Sequence, residues 1–192
     1  MRKRTKGFTI LELIITLSLT VVVLGVVYTF FFSNSKTLTT TEINSDLQLE
    51  SETIQKELLL YGTQAEGIND INNVTINKDN KYNYQETVDS NGKLGVTNLK
   101  FRVESEEINF FYSSSDNTLK LQKGTESIEI LSSNVTKFEI RPLDYRMNSN
   151  GNFKETTGLE ISLILNKKKG YSDVTMPVSV IVKFRNKWYG GE

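Results

Sequence analysis

Residues 8–32 read FTILELIITLSLTVVVLGVVYTFFF, an apolar run of 25 residues. Glu12 is its only charged residue. An α-helix rises ~1.5 Å per residue, so the stretch would be roughly 38 Å long, against a hydrocarbon core of ~30 Å. The sequence therefore predicts one helix that is long enough to cross a bilayer with some tilt.

The residues before this stretch are strongly basic and contain no acid. The leader charges are Arg2, Lys3, Arg4 and Lys6. By the positive-inside rule, they predict a cytoplasmic N-terminus and an extracytoplasmic location for everything after Phe32. No small-residue cleavage pattern follows Phe32, which disfavours an ordinary secretory signal peptide.

Glu12 is unexpected in an apolar helix. A carboxylate five residues into the stretch is costly unless it is paired, protonated or close to the membrane interface. A plain single-pass anchor explains the length of the stretch but gives this carboxylate no role. On the residues alone, an uncleaved anchor that carries an external ligand-binding domain remains an alternative.

The run KGFTILE at positions 6–12 resembles the class III signal of type IV prepilins and pseudopilins. In that family a membrane peptidase cuts after the glycine, the new first residue is N-methylated, and the apolar helix is kept. The resemblance implies cleavage between Gly7 and Phe8 and methylation of Phe8. It also implies that Glu12 serves subunit assembly, by pairing with the N-terminal amine of a neighbouring subunit.

The same resemblance implies partners and locations. The expected partners are the prepilin peptidase/methyltransferase, other major and minor pilins, the inner-membrane assembly platform and membrane lipid. The protein would be a single-pass cell-membrane protein before assembly and part of an extracellular pilus afterwards. Major pilins often carry a proline late in the apolar helix, whereas here no proline precedes Pro142, which favours a minor subunit.

A helical stripe of apolar residues follows the membrane stretch. Its members are Ile43, Leu47, Ile54, Leu58 and Tyr61. Their spacing predicts an amphipathic helix, and Gly62 is predicted to cap its C-terminus. The predicted divisions are a leader at 1–7, a transmembrane and polymerisation helix at 8–32, an amphipathic helix at 33–62 and an extracytoplasmic β-rich head at 63–192.

Beyond Gly62 the pattern becomes strand-like. Residues 65–98 are rich in turn-forming polar residues and are predicted to form a loop region with one short strand at 74–76. The strands predicted after it cover residues 99–103, 108–112, 118–122, 127–131, 135–143, 159–165 and 174–184. The predicted fold is therefore α+β and pilin-like: a long N-terminal helix packed on an antiparallel β-sheet.

The C-terminal half resembles PilW-type minor pilins and J-type pseudopilins. The matching segments are VTKFEI at 135–140, LEISL at 159–163 and VKFRN at 182–186. The resemblance implies a minor pilin at or near the tip of a type IV pilus, where it primes assembly. The alternative within the class is a pseudopilin of a type II secretion or competence DNA-uptake machine.

Composition excludes several kinds of chemistry. The 192-residue chain has no cysteine and no histidine, which excludes disulfides, zinc–thiolate sites and Ser-His triads. A membrane-tethered hydrolase that relies on carboxylates remains, with candidate pairs at Glu106/Glu107, Glu126/Glu129 and Glu155/Glu160. We expect no enzyme, and hence no catalytic residues, cofactor or metal site.

The charge balance disfavours nucleic acid as a direct partner. The chain has 23 basic and 23 acidic residues, and removal of the leader leaves 19 basic residues against the same 23 acids. The one basic run outside the leader is Lys167-Lys168-Lys169, which is predicted to be a solvated loop between strands. The alternative for this run is contact with DNA or an anionic cell-wall polymer.

Overall fold

A computed structural model describes residues 7–104 and 106–185 of the chain. Helix α1 (Ile10–Gln64) comes first, and α2 (Tyr84–Thr87) is a single turn. The strands are β1 (Gly67–Ile71), β2 (Val74–Thr75), β3 (Leu94–Gly95), β4 (Asn98–Val103), β5 (Glu106–Ser113), β6 (Thr118–Lys123), β7 (Glu129–Ser132), β8 (Val135–Pro142), β9 (Gly158–Lys169) and β10 (Ser172–Lys183). The leader charges Arg2, Lys3, Arg4 and Lys6, and Asn186 of the C-terminal resemblance, lie outside the described residues.

The strands form two antiparallel sheets. The six-stranded sheet has the order β2-β1-β4-β5-β6-β7, and the four-stranded sheet has the order β10-β9-β8-β3. The C-terminal part of α1 is buried along one face, in the same core as the inward residues of both sheets. The predicted fold class, a long N-terminal helix packed on antiparallel β-structure, is confirmed, with two sheets in place of one.

The chain divides into two compact units, one ending at Glu42 and the other spanning Ile43–Glu192. Every residue from 7 to 38 in the first unit is exposed, so this segment has no core of its own. The second unit contains all the buried apolar side chains of the described residues. The domain boundaries predicted from the sequence stay predictions.

The predicted apolar stripe of the helix is confirmed. Ile43, Leu47, Ile54 and Leu58 are fully buried. Tyr61 is half-buried, and the Lys123 ammonium lies 5.4 Å from the centre of its ring. Full burial of an aliphatic side chain contributes roughly 1.5–3 kcal/mol relative to exposure, so these four residues hold this part of the helix to the sheets.

Polar contacts fix the position of the helix along the sheets. Glu50 accepts hydrogen bonds from Ser132 Oγ at 2.6 Å and from Asn134 Nδ2 at 2.9 Å. At the same end of the four-stranded sheet, where Asn166 N donates to Asn134 O, Lys167 Nζ lies 2.7 Å from Asp46 Oδ2. The apolar stripe alone would tolerate sliding by one turn, whereas these directional contacts select one register.

The prediction that Gly62 caps the helix was wrong. Helix α1 continues to Gln64, and Gly62 is buried within it. A Cβ at this position would overlap the methyl groups of Val182 on β10. Glycine is therefore placed here to allow close approach between helix and strand, and the helix ends two residues later.

Gly62→Ala is expected to destabilise the second unit by about 1–2 kcal/mol. Overpacking costs about 1–3 kcal/mol, and the higher helix propensity of alanine offsets up to about 1 kcal/mol. Chemical denaturation followed by circular dichroism measures the effect. Gly25→Ala is the control, because no described atom lies within 4 Å of a Cβ there. A neutral Gly62→Ala, or additivity with Val182→Ala, would contradict the packing argument.

Two local predictions were wrong for tertiary reasons. Residues 67–71, assigned to a loop because of their asparagine and aspartate, form β1 by pairing with β4. The basic run at 167–169, also assigned to a loop, is the end of β9. Strand β10 pairs with β9 throughout its length, and a φ of +59° at Gly170 lets residues 170 and 171 close the hairpin.

A buried tyrosine in α2 connects the segment between β2 and β3 to the segment between β8 and β9. The hydroxyl of Tyr84 donates to Asp144 Oδ1 at 2.9 Å, and Thr156 Oγ1 donates to the same oxygen at 2.8 Å. The ring of Tyr84 lies edge-on to that of Phe153, with centroids 5.1 Å apart. Burial, with the neighbouring Asp144 carboxylate, raises the pKa of the Tyr84 hydroxyl far above its usual value, because the phenolate would lose its hydration.

Tyr84 should therefore make stability fall in alkaline solution. A raised pKa in the folded state means that stability is complete below about pH 10, where the unfolded tyrosine also keeps its proton, and declines above it by about 1.4 kcal/mol per pH unit. Tyr84→Phe should remove this component and leave a shallower slope. Urea denaturation between neutral and strongly alkaline pH measures both slopes, and identical slopes would show that Tyr84 ionises freely.

Candidate processing and assembly site

Helix α1 begins with a capping box. The backbone N–H and the Oγ1 hydroxyl of Thr9 both donate to Glu12 Oε2 at 3.2 Å, and the Glu12 N–H donates to Thr9 Oγ1 at 3.2 Å. The first backbone hydrogen bond of the helix runs from Leu13 N to Thr9 O. This capping box was not predicted from the sequence, although Thr9 and Glu12 show its pattern, a threonine followed three residues later by a glutamate.

The capping box occupies one oxygen of Glu12. All three capping contacts use Oε2 or the backbone, and Oε1 makes no hydrogen bond within the described residues. The side chain is exposed. A carboxylate accepts through both oxygens, so Glu12 can begin its own helix and accept a second donor at the same time.

Gly7 and Phe8 precede the helix and are exposed. The Phe8 side chain is 80% exposed. No described atom outside the adjacent residues lies within 4 Å of a Cβ at Gly7, so packing gives no reason for glycine there. A small residue in extended, accessible chain is what a protease needs at a cleavage point. The peptide bond between Gly7 and Phe8 lies outside the helix, between two exposed residues.

The apolar segment has the hydropathy and the internal hydrogen bonds that suit a helix in a membrane. Over its best 18-residue window the mean hydropathy is 2.6, and none of the window is buried. Its hydroxyls donate to carbonyl oxygens of the preceding turn, as in Ser18 to Ile14 at 2.8 Å and Thr20 to Thr16 at 2.7 Å. Within the described residues this is the one helix long and apolar enough to cross a membrane.

One face of the apolar segment carries small side chains. Gly25, Thr29 and Ser33 follow one another at intervals of four residues and line a shallow groove, with Val22, Val26 and Phe30 beside them. Small residues at this spacing allow two helices to approach closely in a bilayer. The groove is therefore a suitable contact face for another apolar helix.

Four of the six carboxylates in the candidate pairs contact basic or amide groups. Glu107 accepts from Asn69 Nδ2 at 2.6 Å, Glu129 lies 3.8 Å from Lys123, and Glu155 lies 3.2 Å from Lys81. Glu160 is ion-paired with Arg141. Within residues 7–104 and 106–185, no group of three or more acidic side chains is placed to hold a metal ion.

Comparison with known proteins gives one match. Residues 2–28 match the family model described as the prokaryotic N-terminal methylation motif. Searches of the curated proteins and of the solved structures gave no match. The match covers the leader, the Gly7–Phe8 bond, the capping box and most of the apolar segment, and leaves the head outside it.

The fold and this N-terminal segment define a class of protein with one apolar helix and an α+β head. Within that class, the methylation motif marks the chain as a type IV pilin-like or pseudopilin-like protein. The motif implies processing by a prepilin peptidase. Pilin-like proteins are in general structural subunits and not enzymes.

Proposed function

We propose that this protein is a minor pilin that is incorporated at or near the tip of a type IV pilus and primes its assembly. In this proposal the peptidase cuts between Gly7 and Phe8 on the cytoplasmic side of the membrane, and Phe8 becomes the N-methylated first residue. The observation that carries the proposal is the methylation motif on an apolar helical segment of which nothing is buried within residues 7–104 and 106–185.

The proposed route gives each feature of the site a role. Cleavage converts the amide nitrogen of Phe8 into an ammonium, and the leader charges are lost with residues 1–7. Oε1 of Glu12 is then available to the ammonium of a neighbouring subunit, and the groove at Gly25 to a neighbouring helix. Before assembly the protein is anchored in the cell membrane, with the head outside the cytoplasm, and afterwards it belongs to an extracellular fibre.

Two sequence features support a minor over a major subunit. No proline interrupts the apolar helix, and α1 is continuous from Ile10 to Gln64. The head also contains β8, β9 and β10 in the order of the three segments that resemble PilW-type and J-type proteins. A pseudopilin of a secretion or DNA-uptake machine would share the same processing and differ in the machine that polymerises it.

Mass measurement of the intact protein from its native membrane tests the proposal. We expect loss of residues 1–7 and addition of one methyl group at Phe8. A retained leader in cells that contain the peptidase would overturn the proposal and favour an uncleaved anchored binding domain. Labelling of isolated fibres with antibodies against the head then distinguishes a tip position from a position along the shaft.

A further inference from the structure

One edge of the four-stranded sheet is long, and within the described residues no strand pairs with it. Strand β10 has 12 residues, all of which pair with β9 on one side. The outer strands at the other three sheet edges are short, because β2 and β3 have 2 residues each and β7 has 4. A long free edge offers a row of unused N–H and C=O groups to any other strand.

The hairpin geometry shows which residues of β10 direct their backbone groups to the free edge. In a hairpin closed by two residues, the pair that flanks the loop exchanges hydrogen bonds, and so does every second pair after it. Here that pair is Lys169 and Ser172, so the even-numbered residues of β10 bond to β9 and the odd-numbered residues face outward. The next contact along the chain agrees with this alternation, because Phe184 N donates to Thr157 O, next to β9, at 3.0 Å.

Pro177 lies in the middle of the outward-facing residues. A proline has no N–H, so at an inward position it would leave a hydrogen bond to β9 unmade. At an outward position it leaves the ladder with β9 complete and interrupts the free edge instead. Its ring also occupies the place from which an N–H would reach an incoming strand. Pro177 is therefore at the kind of position where proline blocks further pairing without weakening the existing sheet.

The free edge is complementary to itself when two copies of β10 run antiparallel about a twofold axis at Val178. Asp173 of each copy then lies opposite Lys183 of the other copy, and Thr175 lies opposite Ile181. All four side chains are exposed, that of Ile181 by 59%. Opposite charges and β-branched side chains are favourable pairs when they lie directly across an antiparallel ladder. This register also uses the whole free edge.

We propose that the free edge of β10 fits the same edge of a second copy of this chain, and that Pro177 keeps the two copies from pairing. About the same axis Pro177 lies opposite Ser179, so each copy lacks one N–H donor at the centre of the pairing, and both proline rings stand between the strands. The head thus remains single although it exposes a long strand. All of these residues lie in the second unit, and the pairing depends neither on leader cleavage nor on a membrane.

Pro177→Thr tests the block, because threonine restores the N–H and suits a strand. The native full-length protein and the variant are compared in dodecylmaltoside micelles by analytical ultracentrifugation over a range of concentrations. We expect the association constant of the variant to be at least about tenfold higher, because each dimer gains two hydrogen bonds and each is worth roughly a factor of five. Association through the apolar helix is common to both proteins, so the difference reports the heads.

Pro177→Thr combined with Ser179→Pro is the matched control, because it moves the proline two residues along the same edge to another outward position. Its association should return to the native level. Circular dichroism checks the folding of each variant, and Pro177→Ala, which also restores the N–H, repeats the test if threonine prevents folding. The proposal is overturned if restoring the N–H leaves association at the native level, or if the control associates as strongly as Pro177→Thr.

Two charge variants, each made in the Pro177→Thr background, test the register. Lys183→Glu places like charges at both ends of a pair of identical copies, and Asp173→Lys does the same with the opposite sign. Each variant alone should associate about fivefold more weakly, whereas a mixture should regain the association of Pro177→Thr because every end pair is then opposite in charge.

Energy transfer between two dyes measures the mixture. The chain has no native cysteine, so Met147→Cys, which is 94% exposed and lies between β8 and β9, carries the donor dye in one variant and the acceptor dye in the other. Strong transfer in the mixture, with weak transfer within each variant, is the expected result. Association that is the same in both charge variants and in Pro177→Thr would mean that the copies meet elsewhere, and it would overturn the proposal.

Discussion

Glu12→Gln is expected to lower incorporation into the fibre at least ~10-fold while cleavage and methylation continue. Glutamine at this position keeps an oxygen that can accept from Thr9, so the capping box survives the change. What it removes is the negative charge. Two unit charges ~4 Å apart attract by about 4 kcal/mol at an effective dielectric of 20, before desolvation is subtracted, and a net 1.4 kcal/mol is already tenfold.

Thr9→Ala is the matched control, because it removes the hydroxyl of the cap and keeps the charge. Loss of an N-cap side chain costs about 1 kcal/mol of helix stability. The helix is 55 residues long and its C-terminal part is held by the core of the head, so this cost should leave incorporation nearly intact. Glu12→Asp keeps the charge on a shorter side chain and should fall between the two.

The measurement is the ratio of this protein to the major subunit in sheared fibres, by quantitative mass spectrometry. The membrane pool of each variant is measured alongside, to show that synthesis and processing are equal. Incorporation of Glu12→Gln at the level of the native protein would mean that Glu12 is a helix cap and nothing more. Equal losses for Thr9→Ala and Glu12→Gln would assign the effect to the helix start and not to the charge.

The capping box also shows what the sequence could reveal about this site. The apolar run, the glycine and the carboxylate are contiguous, so their roles could be predicted without tertiary information. The buried stripe from Ile43 to Leu58 was predictable for the same reason, because helical periodicity is local. The Thr9–Glu12 pair is equally local, but it was not predicted, because the resemblance assigns Glu12 a partner in another subunit.

The other features that escaped prediction depend on distant parts of the chain. The local sequence predicts that Gly62 is a helix cap, whereas in the fold Gly62 lies against Val182, which comes 120 residues later. Residues 67–71 have poor strand propensity and form β1 because β4 offers a free edge. The lysines at 167–169 are strand residues because β10 continues the ladder past them. In each case tertiary contact outweighs a correct reading of local preference.

Gly7→Val is expected to reduce leader cleavage by roughly 10²–10³-fold, which corresponds to a loss of about 3–4 kcal/mol in the transition state of the peptidase reaction. Valine adds a branched side chain beside the bond that is cut and restricts the backbone there. The change should leave the fold of the head intact, because no described atom beyond the adjacent residues lies within 4 Å of a Cβ at Gly7, and the core begins at Ile43.

Gly25→Val is the matched control for this effect. Gly25 also has open space around it, and it lies within the same segment, 18 residues further along. We expect its leader to be removed at the normal rate, whereas its incorporation should fall because valine fills the groove lined by Thr29 and Ser33. The two variants therefore separate a defect in processing from a defect in helix packing.

Intact mass of the membrane-bound protein reads the processing step directly. Gly7→Val should retain residues 1–7 and lack the methyl group, and it should be absent from fibres because its N-terminus carries the leader charges in place of a free amine at Phe8. Normal cleavage of Gly7→Val would show that the peptidase does not read this glycine. Incorporation of the uncut chain would show instead that assembly needs no new amine, and Glu12 would then lose its proposed partner.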